Sequence, residues 1–341
     1  MKAVILAGGL GTRLRPLTLT TPKPLIPIVN KPAIGHIVEY LTRHGFSDII
    51  VTTNYQQERL KSYLSENYRN IHFYFPEEPH PLGTAGSVKN SSLNDTAFII
   101  QGDNITDIDV KKIISFHRSH GGLVTIALMH VENPSQFGVA EVDECGRILR
   151  FVEKPVKYFS DLASIGLYVI EPEALEYVPE GKPFDFAKDL FPIILEQEEL
   201  YGCVVDGFWT DIGTFEGYRK AHEWILQRMK SDMKCDNTDS SVKRSEIDGF
   251  VVIGNDSIIE NSEIHGFVSI GDNVHVKNCK IHDSVIFNYA RIRESVIKVS
   301  IIAEKCVVKC GKIEQSVVGA FSYLENTRLI NEKIAPPVIM R

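Results

Sequence analysis

Cysteine is scarce in this chain, and its spacing excludes the commoner metal and disulfide frameworks. Six cysteines are scattered between positions 145 and 310, and none forms a C-x-x-C pair. Cys306 and Cys310 are too far apart for a typical zinc knuckle, and no pair of histidines nearby completes a site. We therefore expect free thiols, which are usual in the reducing cytosol, and a cytoplasmic location.

Long apolar runs and an excess of positive charge are also missing. The longest apolar stretches have the length of single strands, so no membrane partner is predicted, and the N-terminus lacks the layout of a signal peptide. The formal net charge of −7 argues against nucleic acid as a partner, because proteins that bind it tend to be basic. With 43% hydrophobic and 24% charged residues, the composition is that of a soluble globular protein.

Strand-like and helix-like patterns alternate through residues 1–228. This alternation predicts an α/β fold, a Rossmann-like and mostly parallel mixed sheet with helices on both faces. Ligands of such sheets bind at the carboxyl ends of the strands, where Gly8-Gly9 and Gly102-Asp103 would emerge. The predicted strands are Ala3–Leu6, Asp48–Thr52, Ile71–Phe75, Ala97–Gln101 and Val124–Met129, and the predicted helices are Ile34–His44, Gln56–Asn67, Gly86–Leu93 and Val110–His120.

The pattern changes after residue 228. Residues 229–246 are polar and charged, as is typical of a linker. Across 247–335, apolar residues recur every five or six positions, as at Ile247, Ile253 and Ile259. A hexapeptide-repeat β-helix has this period and a helix or simple strand does not, while a β-sandwich is the less favoured alternative. Because a short β-helix leaves its ends and an apolar corner row exposed, we expect it to pair between subunits in a homo-oligomer.

The first 25 residues carry the strongest functional signal. Val4-Ile5-Leu6-Ala7 leads directly into Gly8-Gly9-Leu10-Gly11-Thr12-Arg13, and Pro22-Lys23-Pro24-Leu25 follows one loop later. A buried strand that ends in closely spaced glycines exposes N–H groups that bind phosphate oxygens, and Arg13 and Lys23 add two positive charges. The loop is neither a Walker A loop nor the dinucleotide fingerprint. These residues favour a nucleoside triphosphate site of another kind.

Three further segments carry candidate binding groups. The loop Leu82–Gly86 opens a helix and would let a flat base or ribose approach its backbone, although a structural turn is an equal alternative. Asp103 follows a strand and Asp211 precedes a helix, so two carboxylates far apart in sequence are candidates for one Mg²⁺ ion. Glu153-Lys154 follows a hairpin-like segment and is interpreted either as a surface ion pair or as a contact with a sugar and its phosphate.

Together these segments resemble the sugar-1-phosphate nucleotidyltransferases. A C-terminal β-helix, left-handed in that family, is also typical of its longer members, notably the mannose-1-phosphate guanylyltransferases. The sequence of the segment Pro81–Gly86 resembles the same guanylyl branch of the family. Thymidylyl members more often place a Gln where Glu77 and Glu78 stand. The matching motifs are Gly8–Thr18, Pro22–Pro27, Leu82–Gly86, Gly102-Asp103, Phe137–Val139, Glu153–Pro155 and Trp209–Thr214.

The resemblance implies a reaction in which a nucleoside triphosphate and a sugar-1-phosphate give an NDP-sugar and pyrophosphate. The attacking phosphate oxygen is already ionised at pH 7, so no general base is required. The implied residues are Arg13 and Lys23 for catalysis; Asp103 and Asp211 for Mg²⁺; Leu6, Ala7, Gly8, Gly9, Gly11, Thr12, Gly83, Thr84, Ala85 and Gly102 for the nucleotide; and Gly138, Glu153, Lys154 and Ser164 for the sugar phosphate.

The chain departs from the family in the expected sugar pocket. Ser164-Ile165-Gly166-Leu167-Tyr168 stands where many members have Asn-Ala-Gly-x-Tyr, and Ala187 stands where relatives often carry Glu. Both changes remove a hydrogen-bonding group, so the sugar is left open.

Three other functions also remain open. The first is glucose-1-phosphate thymidylyl or uridylyl transfer. The second is an acyltransferase site on the β-helix, for which His265, His275 and His282 are available. The third is a non-catalytic subunit that senses an NDP-sugar, although Arg13 and the other charged residues are present.

Overall fold

The computed structural model describes residues 1–53, 57–229 and 240–340, which group into two compact units. The first unit is Met1–Gly9 with Ile34–Thr210, and the second is Leu10–Ala33 with Asp211–Arg341. The glycine loop at the N-terminus is therefore divided between the two units.

The first unit is built on one mixed β-sheet. Its strand Lys2–Leu6 pairs in parallel with Asp48–Thr52 and with Ala97–Gln101, and residues Ala3 to Leu6 are all buried, as in a sheet covered on both faces. Leu162–Ile170 pairs antiparallel with Ala97–Gln101 and extends the sheet. In the described residues its strands are Lys2–Leu6, Asp48–Thr52, His72–Tyr74, Ala97–Gln101, Val124–His130, Gly138–Val142, Ile148–Glu153, Leu162–Ile170 and Leu200–Val204.

The helices end at the signals that the sequence provides. In helix Val110–His120 the Asp109 carboxylate accepts a hydrogen bond from the Lys111 N–H at 2.9 Å, and Gly121 ends the helix with φ at 68°. The α-helices in the described part of the chain are Ala33–Arg43, Gln57–Asn67, Gly83–Asn90, Val110–His120, Phe191–Glu196 and Phe215–Arg228. The shorter turns of helix are Thr12–Leu14, Leu17–Leu19, Lys23–Leu25, Pro134–Gln136, Pro172–Tyr177 and Phe186–Leu190.

The predicted α/β fold with its mixed sheet is confirmed, and each predicted strand and helix of the first 130 residues is present with small shifts at its ends. The largest shift is at the second glycine loop, where the helix begins at Gly83 rather than at Gly86. One predicted helical residue, Gln56, lies outside the described residues. Short strands at Pro27–Ile28, Lys31–Pro32, Asn104–Thr106 and Trp209–Asp211 were not predicted.

The second unit contains a parallel β-solenoid of about six turns, which confirms the predicted coil. Corresponding residues on successive turns are 17 and then 16 positions apart. The predicted apolar positions stack in ladders, one of which runs from Ile247 through Ile264, Ile281 and Ile297 to Ile313. The β-sandwich alternative is therefore wrong.

Each solenoid turn bends at corners where a residue has positive φ. Tyr289, Lys305 and Phe321 form one such column, with φ near 60°. Buried serines link neighbouring turns, because Ser300 Oγ donates to Lys298 O at 2.6 Å and accepts from the Ser316 N–H at 3.1 Å. The corners are thus held by side-chain hydrogen bonds as well as by the ladders.

The strands of the solenoid begin inside the predicted linker. Most of residues 229–246 lies outside the described residues, but Ser241–Lys243 is a strand and the next strand starts at Glu246. The remaining strands are Ile258–Glu260, Glu263–Ile270, His275–Lys277, Lys280–His282, Val285–Ile286, Arg291–Arg293, Val296–Lys298, Ile301–Ile302, Val307–Lys309, Lys312–Glu314, Val317–Val318, Tyr323–Glu325, Arg328–Ile330, Lys333–Ile334 and Ile339–Met340.

The described residues contain neither a membrane-spanning helix nor a disulfide bond. None of their helices is long and apolar enough to cross a bilayer. Their five cysteines are free, with Cys203, Cys279 and Cys306 buried and Cys145 and Cys310 exposed. Burial raises the pKa of the Cys306 thiol to about 12, so this thiol is unreactive at neutral pH.

Candidate active site

In the first unit, two loops leave the sheet side by side, as their parallel strands predict. Leu6 is paired with Gln101, and the Gly102 N–H donates to Leu6 O at 2.9 Å. A Cβ on Gly102 would lie 2.7 Å from that oxygen, so only glycine fits there. A Cβ on Gly9, in contrast, would meet nothing within 4 Å. Asp103 is therefore held next to the end of the first strand, where Gly8 and Gly9 expose their backbone.

Tyr168 is a buried tyrosine on the strand that carries Ser164. The side chains of Ser164 and Gln101 lower the pKa of its hydroxyl, and the charges of Glu153 and Asp103 raise it. Burial, reinforced by those two carboxylates, raises the pKa of Tyr168 to about 12. Tyr168 thus remains a neutral hydroxyl at all ordinary pH values, next to the Ser164 position where many family members have Asn.

One polar side chain and one glycine shape the backbone beside Tyr168. The strand Leu162–Ile170 has an irregular register between Ser164 and Tyr168. There the buried Asn104 amide donates to Ile165 O at 2.7 Å. Gly166 has φ at 73°, and a Cβ on it would lie 2.6 Å from the Gln101 side chain. Ala187, expected on the sugar side, instead packs against the hydrophobic core.

The second glycine loop is tied to a distant segment by its own N–H groups. The N–H groups of Ala85 and Gly86 both donate to Phe184 O, at 2.9 and 3.0 Å. A Cβ on Gly83 would lie 2.7 Å from the same oxygen, and Gly83 has φ at 72°. The Thr84 hydroxyl donates to Asp185 Oδ1 at 3.2 Å and accepts from the Phe186 N–H at 2.9 Å. The loop therefore presents a shaped backbone surface, and these N–H groups are engaged within the protein.

Glu78 is a half-buried residue beside this loop. Its Oε1 atom is inaccessible to solvent and has no hydrogen-bond partner in the described structure. Burial raises the pKa of Glu78, and the Ser87 side chain offsets part of that rise. Ser87 lies one turn into the helix and donates to Gly83 O at 2.7 Å, so the Glu78 carboxyl lies near the first turn. A buried acceptor without a hydrogen bond lowers the stability of the fold unless another group supplies a donor.

The predicted sugar-phosphate residues lie around a tight hairpin. The Lys154 N–H donates to Phe137 O at 2.9 Å, and the Lys154 ammonium lies 3.1 Å from Glu153 Oε1. The lysine side chain is 62% exposed and the glutamate 21%, so the ion pair is at the surface. A Cβ on Gly138 would lie 2.4 Å from the Phe151 ring, which explains the glycine. Trp209 packs edge-on against Phe137 at 5.2 Å, and its Nε1 donor is buried without a partner.

In the second unit, the rest of the N-terminal loop folds back on itself. Gly11 has φ at 63°, and its carbonyl accepts from the Thr18 hydroxyl at 2.8 Å and from the Leu14 N–H at 3.0 Å. A Cβ on Gly11 would lie 2.8 Å from the Thr18 methyl and 3.1 Å from Lys23 Cβ. This packing places Thr12–Leu14, with Arg13, and Lys23–Leu25 on neighbouring turns.

The same unit brings Arg13 and Lys23 to Asp211. Arg13 Nη2, Asp211 Oδ1 and Lys23 Nζ all lie within 3.3 Å of the point where a Cβ on Gly213 would stand. Asp211 Oδ1 also accepts from the Gly213 N–H at 2.7 Å. Two fixed cations and one carboxylate therefore meet around a single glycine.

This arrangement can bind polyphosphate. Two cations that already lie close together can neutralise an anionic oxygen, which is the main requirement of phosphoryl transfer. No cluster of three or more His, Cys, Asp or Glu side chains able to hold a metal occurs among the residues that the structure describes. One or two carboxylates completed by phosphate oxygens and waters are, however, the usual protein share of a Mg²⁺ site.

Comparison with known families decides the class of protein. The family model described as nucleotidyl transferase matches residues 2–228. The chain belongs to this family. The match includes every residue that the sequence predicted for the site.

Individual relatives of this nucleotidyl transferase point in the same direction. The chain is 41% identical over 219 residues to the mannose-1-phosphate guanylyltransferase catalytic subunit beta of Drosophila pseudoobscura pseudoobscura, covering 62% of this chain and 59% of the relative. It is 37% identical over 265 residues to mannose-1-phosphate guanylyltransferase 1 of Arabidopsis thaliana, covering 74% and 73%. In the first of these alignments the chain spans about three fifths of its relative's length.

One solved structure resembles the same region. It is described as a glucose-1-phosphate thymidylyltransferase from Bacillus anthracis in complex with a sucrose. The TM-score is 0.60 with 28% sequence identity, and the alignment covers 66% of this chain and 94% of the other.

Several residues of the site were absent from the sequence prediction. Asp185 contacts the predicted residue Thr84, and Tyr168 lies on the strand of Ser164 with the Gln101 side chain near Gly166; only the fold reveals these neighbours. Glu78 could have been found from the sequence, because an acid stands there where related enzymes more often have Gln.

Proposed function

We propose that this nucleotidyl transferase joins a nucleoside triphosphate to a sugar-1-phosphate, releases pyrophosphate, and uses GTP and mannose-1-phosphate as its substrates. The observation that carries the proposal is the convergence of Arg13, Lys23 and Asp211 around Gly213. The family match and the guanylyltransferase names of the relatives support it.

The chemistry follows from the charges. The sugar-1-phosphate is itself an ionised nucleophile, so the protein has to align two anions and stabilise the charge that develops at the α-phosphorus. Arg13 binds the triphosphate, and Lys23 neutralises the α-phosphoryl group, while the exposed backbone of Gly8 and Gly9 contacts phosphate oxygens. In the first unit Lys154 attracts the sugar phosphate, and Glu153 accepts sugar hydroxyls.

Mg²⁺ is the proposed metal, with Asp103 and Asp211 as its protein ligands. Their carboxylate oxygens are the hard donors that this ion prefers. When bound, Mg²⁺ would offset the negative charge of the triphosphate.

Guanine is the proposed base because of Glu78. Guanine presents two adjacent donors, N1–H and N2–H, whereas uracil and thymine present one N–H between two acceptors. An ionised carboxylate only accepts hydrogen bonds, so it matches the guanine edge and repels the carbonyls of a pyrimidine. The half-buried Glu78 side chain lies near the first turn of the helix that starts at Gly83, and this position supports the choice.

A matrix of nucleoside triphosphates against sugar-1-phosphates, measured by pyrophosphate release, tests the proposal. We expect the highest kcat/KM with GTP and mannose-1-phosphate in the presence of Mg²⁺. Release with glucose-1-phosphate and dTTP or UTP instead would contradict the choice of substrates. No release with any pair, together with tight binding of an NDP-sugar, would identify a sensing subunit.

Assembly and location are proposed with the same function. We propose a cytoplasmic homo-oligomer that associates through the solenoid, which exposes a column of aromatic and cationic corner residues. Lys305 lies between Tyr289 and Phe321, 5.8 and 5.2 Å from their rings. Both rings are about half exposed, as in a surface that a second chain would cover. A monomeric mass by light scattering at micromolar concentration would overturn this.

A further inference from the structure

Within the second unit, a cavity of about 550 Å³ lies between helix Phe215–Arg228 and one face of the solenoid. The helix lines it with Phe215, Tyr218 and His222, and the solenoid contributes apolar side chains that include Phe267 and Ile301. Cavities of this size with a mainly apolar lining hold small organic ligands.

Among the described residues that line this cavity, His222 carries polar atoms without a hydrogen-bond partner. Its side chain is 2% exposed, and neither Nδ1 nor Nε2 has a hydrogen-bond partner in the described structure. Burial lowers the pKa of His222 to about 3, so the ring is neutral, with one donor and one acceptor. Buried polar atoms normally find partners, and the residue whose two nitrogens have none is among those that line this cavity.

The charged residues of the lining define the polarity of such a ligand. The acids are engaged, since Glu216 pairs with Lys220 at 3.0 Å and Asp283 Oδ2 lies 2.8 Å from His282 Nδ1. Glu223 likewise pairs with Arg219 at 3.4 Å. Lys333 has no ion pair among the described residues, and its ammonium lies over the Phe215 ring at 4.5 Å.

We propose that this cavity is a second ligand site, which takes a small organic anion with a flat apolar body. The body packs between Phe215 and Phe267, the anionic group meets Lys333, and a polar group on the body pairs with His222. Thr214 caps the same helix, and Asp211 and Gly213 immediately precede that cap. Occupancy of the cavity would therefore bias the position of the carboxylate beside Arg13 and Lys23. This regulatory consequence rests on the proposed function, but the binding itself does not.

The binding test uses the full chain and the fluorescent anion 8-anilino-1-naphthalenesulfonate as probe, because its emission rises in an apolar pocket. We expect saturable binding at one site per chain. Ile301→Trp, which fills the cavity, and Lys333→Gln, which removes the cation, should each raise the Kd at least tenfold. Lys280→Gln, a charge change on an exposed solenoid lysine outside the lining, should leave the Kd unchanged.

Two controls keep the result interpretable. Circular dichroism and Tm report whether Ile301→Trp folds. If it does not fold, the binding test relies on Lys333→Gln, because that position is exposed and the change is not expected to disturb folding. His222→Phe keeps the shape of the ring without its nitrogens, so it should weaken binding and leave Tm equal or higher. Equal Kd values in all variants, or binding that does not saturate, would overturn the site. If the probe binds as expected but no pyrophosphate is released with any substrate pair, the proposed function fails and the cavity site stands.

Discussion

Thr84 and Asp185 are 101 positions apart in the sequence but are joined by two hydrogen bonds. The Thr84 N–H and the Thr84 hydroxyl both donate to Asp185 Oδ1, at 3.1 and 3.2 Å. The helix that begins at Gly83 thus receives its N-terminal carboxylate from a remote segment instead of from its own N-cap residue, Leu82. The shape of the second glycine loop depends on this contact.

Removal of that carboxylate should loosen the loop. We expect Asp185→Ala to lower the free energy of unfolding by about 1–3 kcal/mol, because it leaves the Thr84 donors unsatisfied. It should also raise the KM for GTP. Thermal unfolding and pyrophosphate release measure the two effects. Asp161→Ala, which removes only an exposed partner of His130, is the matched control and should change neither. An unchanged Tm in Asp185→Ala would show that the contact carries no stability.

A single methyl group at Gly213 should disturb catalysis more than folding. Its Cβ would lie 2.7 Å from both Arg13 Nη2 and Asp211 Oδ1, so the charged groups must move apart. Because displacements of about 1 Å can cost roughly 10²-fold in rate, we expect Gly213→Ala to lower kcat by 10- to 100-fold. Gly311→Ala creates an equally close contact, 2.8 Å from Val308, within the solenoid. That control is expected to keep its kcat, and a normal kcat in Gly213→Ala would refute the cluster's role.

Lys23 and Asp103 should each be required for turnover. We expect Lys23→Ala and Asp103→Asn to lower kcat on the order of 10²- to 10³-fold, since each removes a charge that acts on the reacting phosphates. Both chains should fold normally by circular dichroism. Lys111→Ala, at an exposed position of helix Val110–His120 in the first unit, is the control for the removal of a lysine charge far from the site residues. Unchanged turnover in either variant would show that the substituted residue has no catalytic role.

Glu78 should determine the choice of base. Glutamine in its place offers one donor and one acceptor, which suits a pyrimidine edge better than guanine. We expect Glu78→Gln to lower kcat/KM for GTP by roughly 10- to 100-fold, the range lost with a charge-assisted hydrogen bond, and to narrow the gap to UTP and dTTP. Glu77→Gln, one position earlier and exposed, is the control. An unaltered ratio of GTP to UTP in Glu78→Gln would place base selection elsewhere.

The same carboxyl predicts a dependence of binding on pH. Its pKa is raised by burial, so the neutral acid forms on acidification sooner than for an ordinary glutamate. Only the ionised form accepts both guanine donors, so the KM for GTP should be constant above this pKa and should rise as the pH falls through it. In Glu78→Gln that rise should be absent. Parallel profiles in the two proteins would assign the titration to another group.

The repeat and the strand ends are the parts that the sequence determined most completely. The apolar ladders follow from spacing alone, because each solenoid strand pairs only with the strand one turn away in sequence. Gly8, Gly9 and Asp103 were placed correctly at the carboxyl ends of their strands, since parallel pairing follows from alternating strands and helices. The start of the solenoid at Ser241 was missed because polar strands at the end of a coil look like linker.

Tertiary structure decided what each site residue contacts. The sequence named Arg13, Lys23 and Asp211, but only folding of the second unit gathers them at Gly213, because side chains some 190 positions apart have no local signal of proximity. The sequence left the loop at Thr84 open between a ligand surface and a structural turn, and the Asp185 contact shows where its donors go. Local pattern therefore determined which elements form and which chemistry is present. Long-range packing determined which charges meet and which polar atoms, such as Glu78 Oε1 and the His222 nitrogens, are buried without a partner.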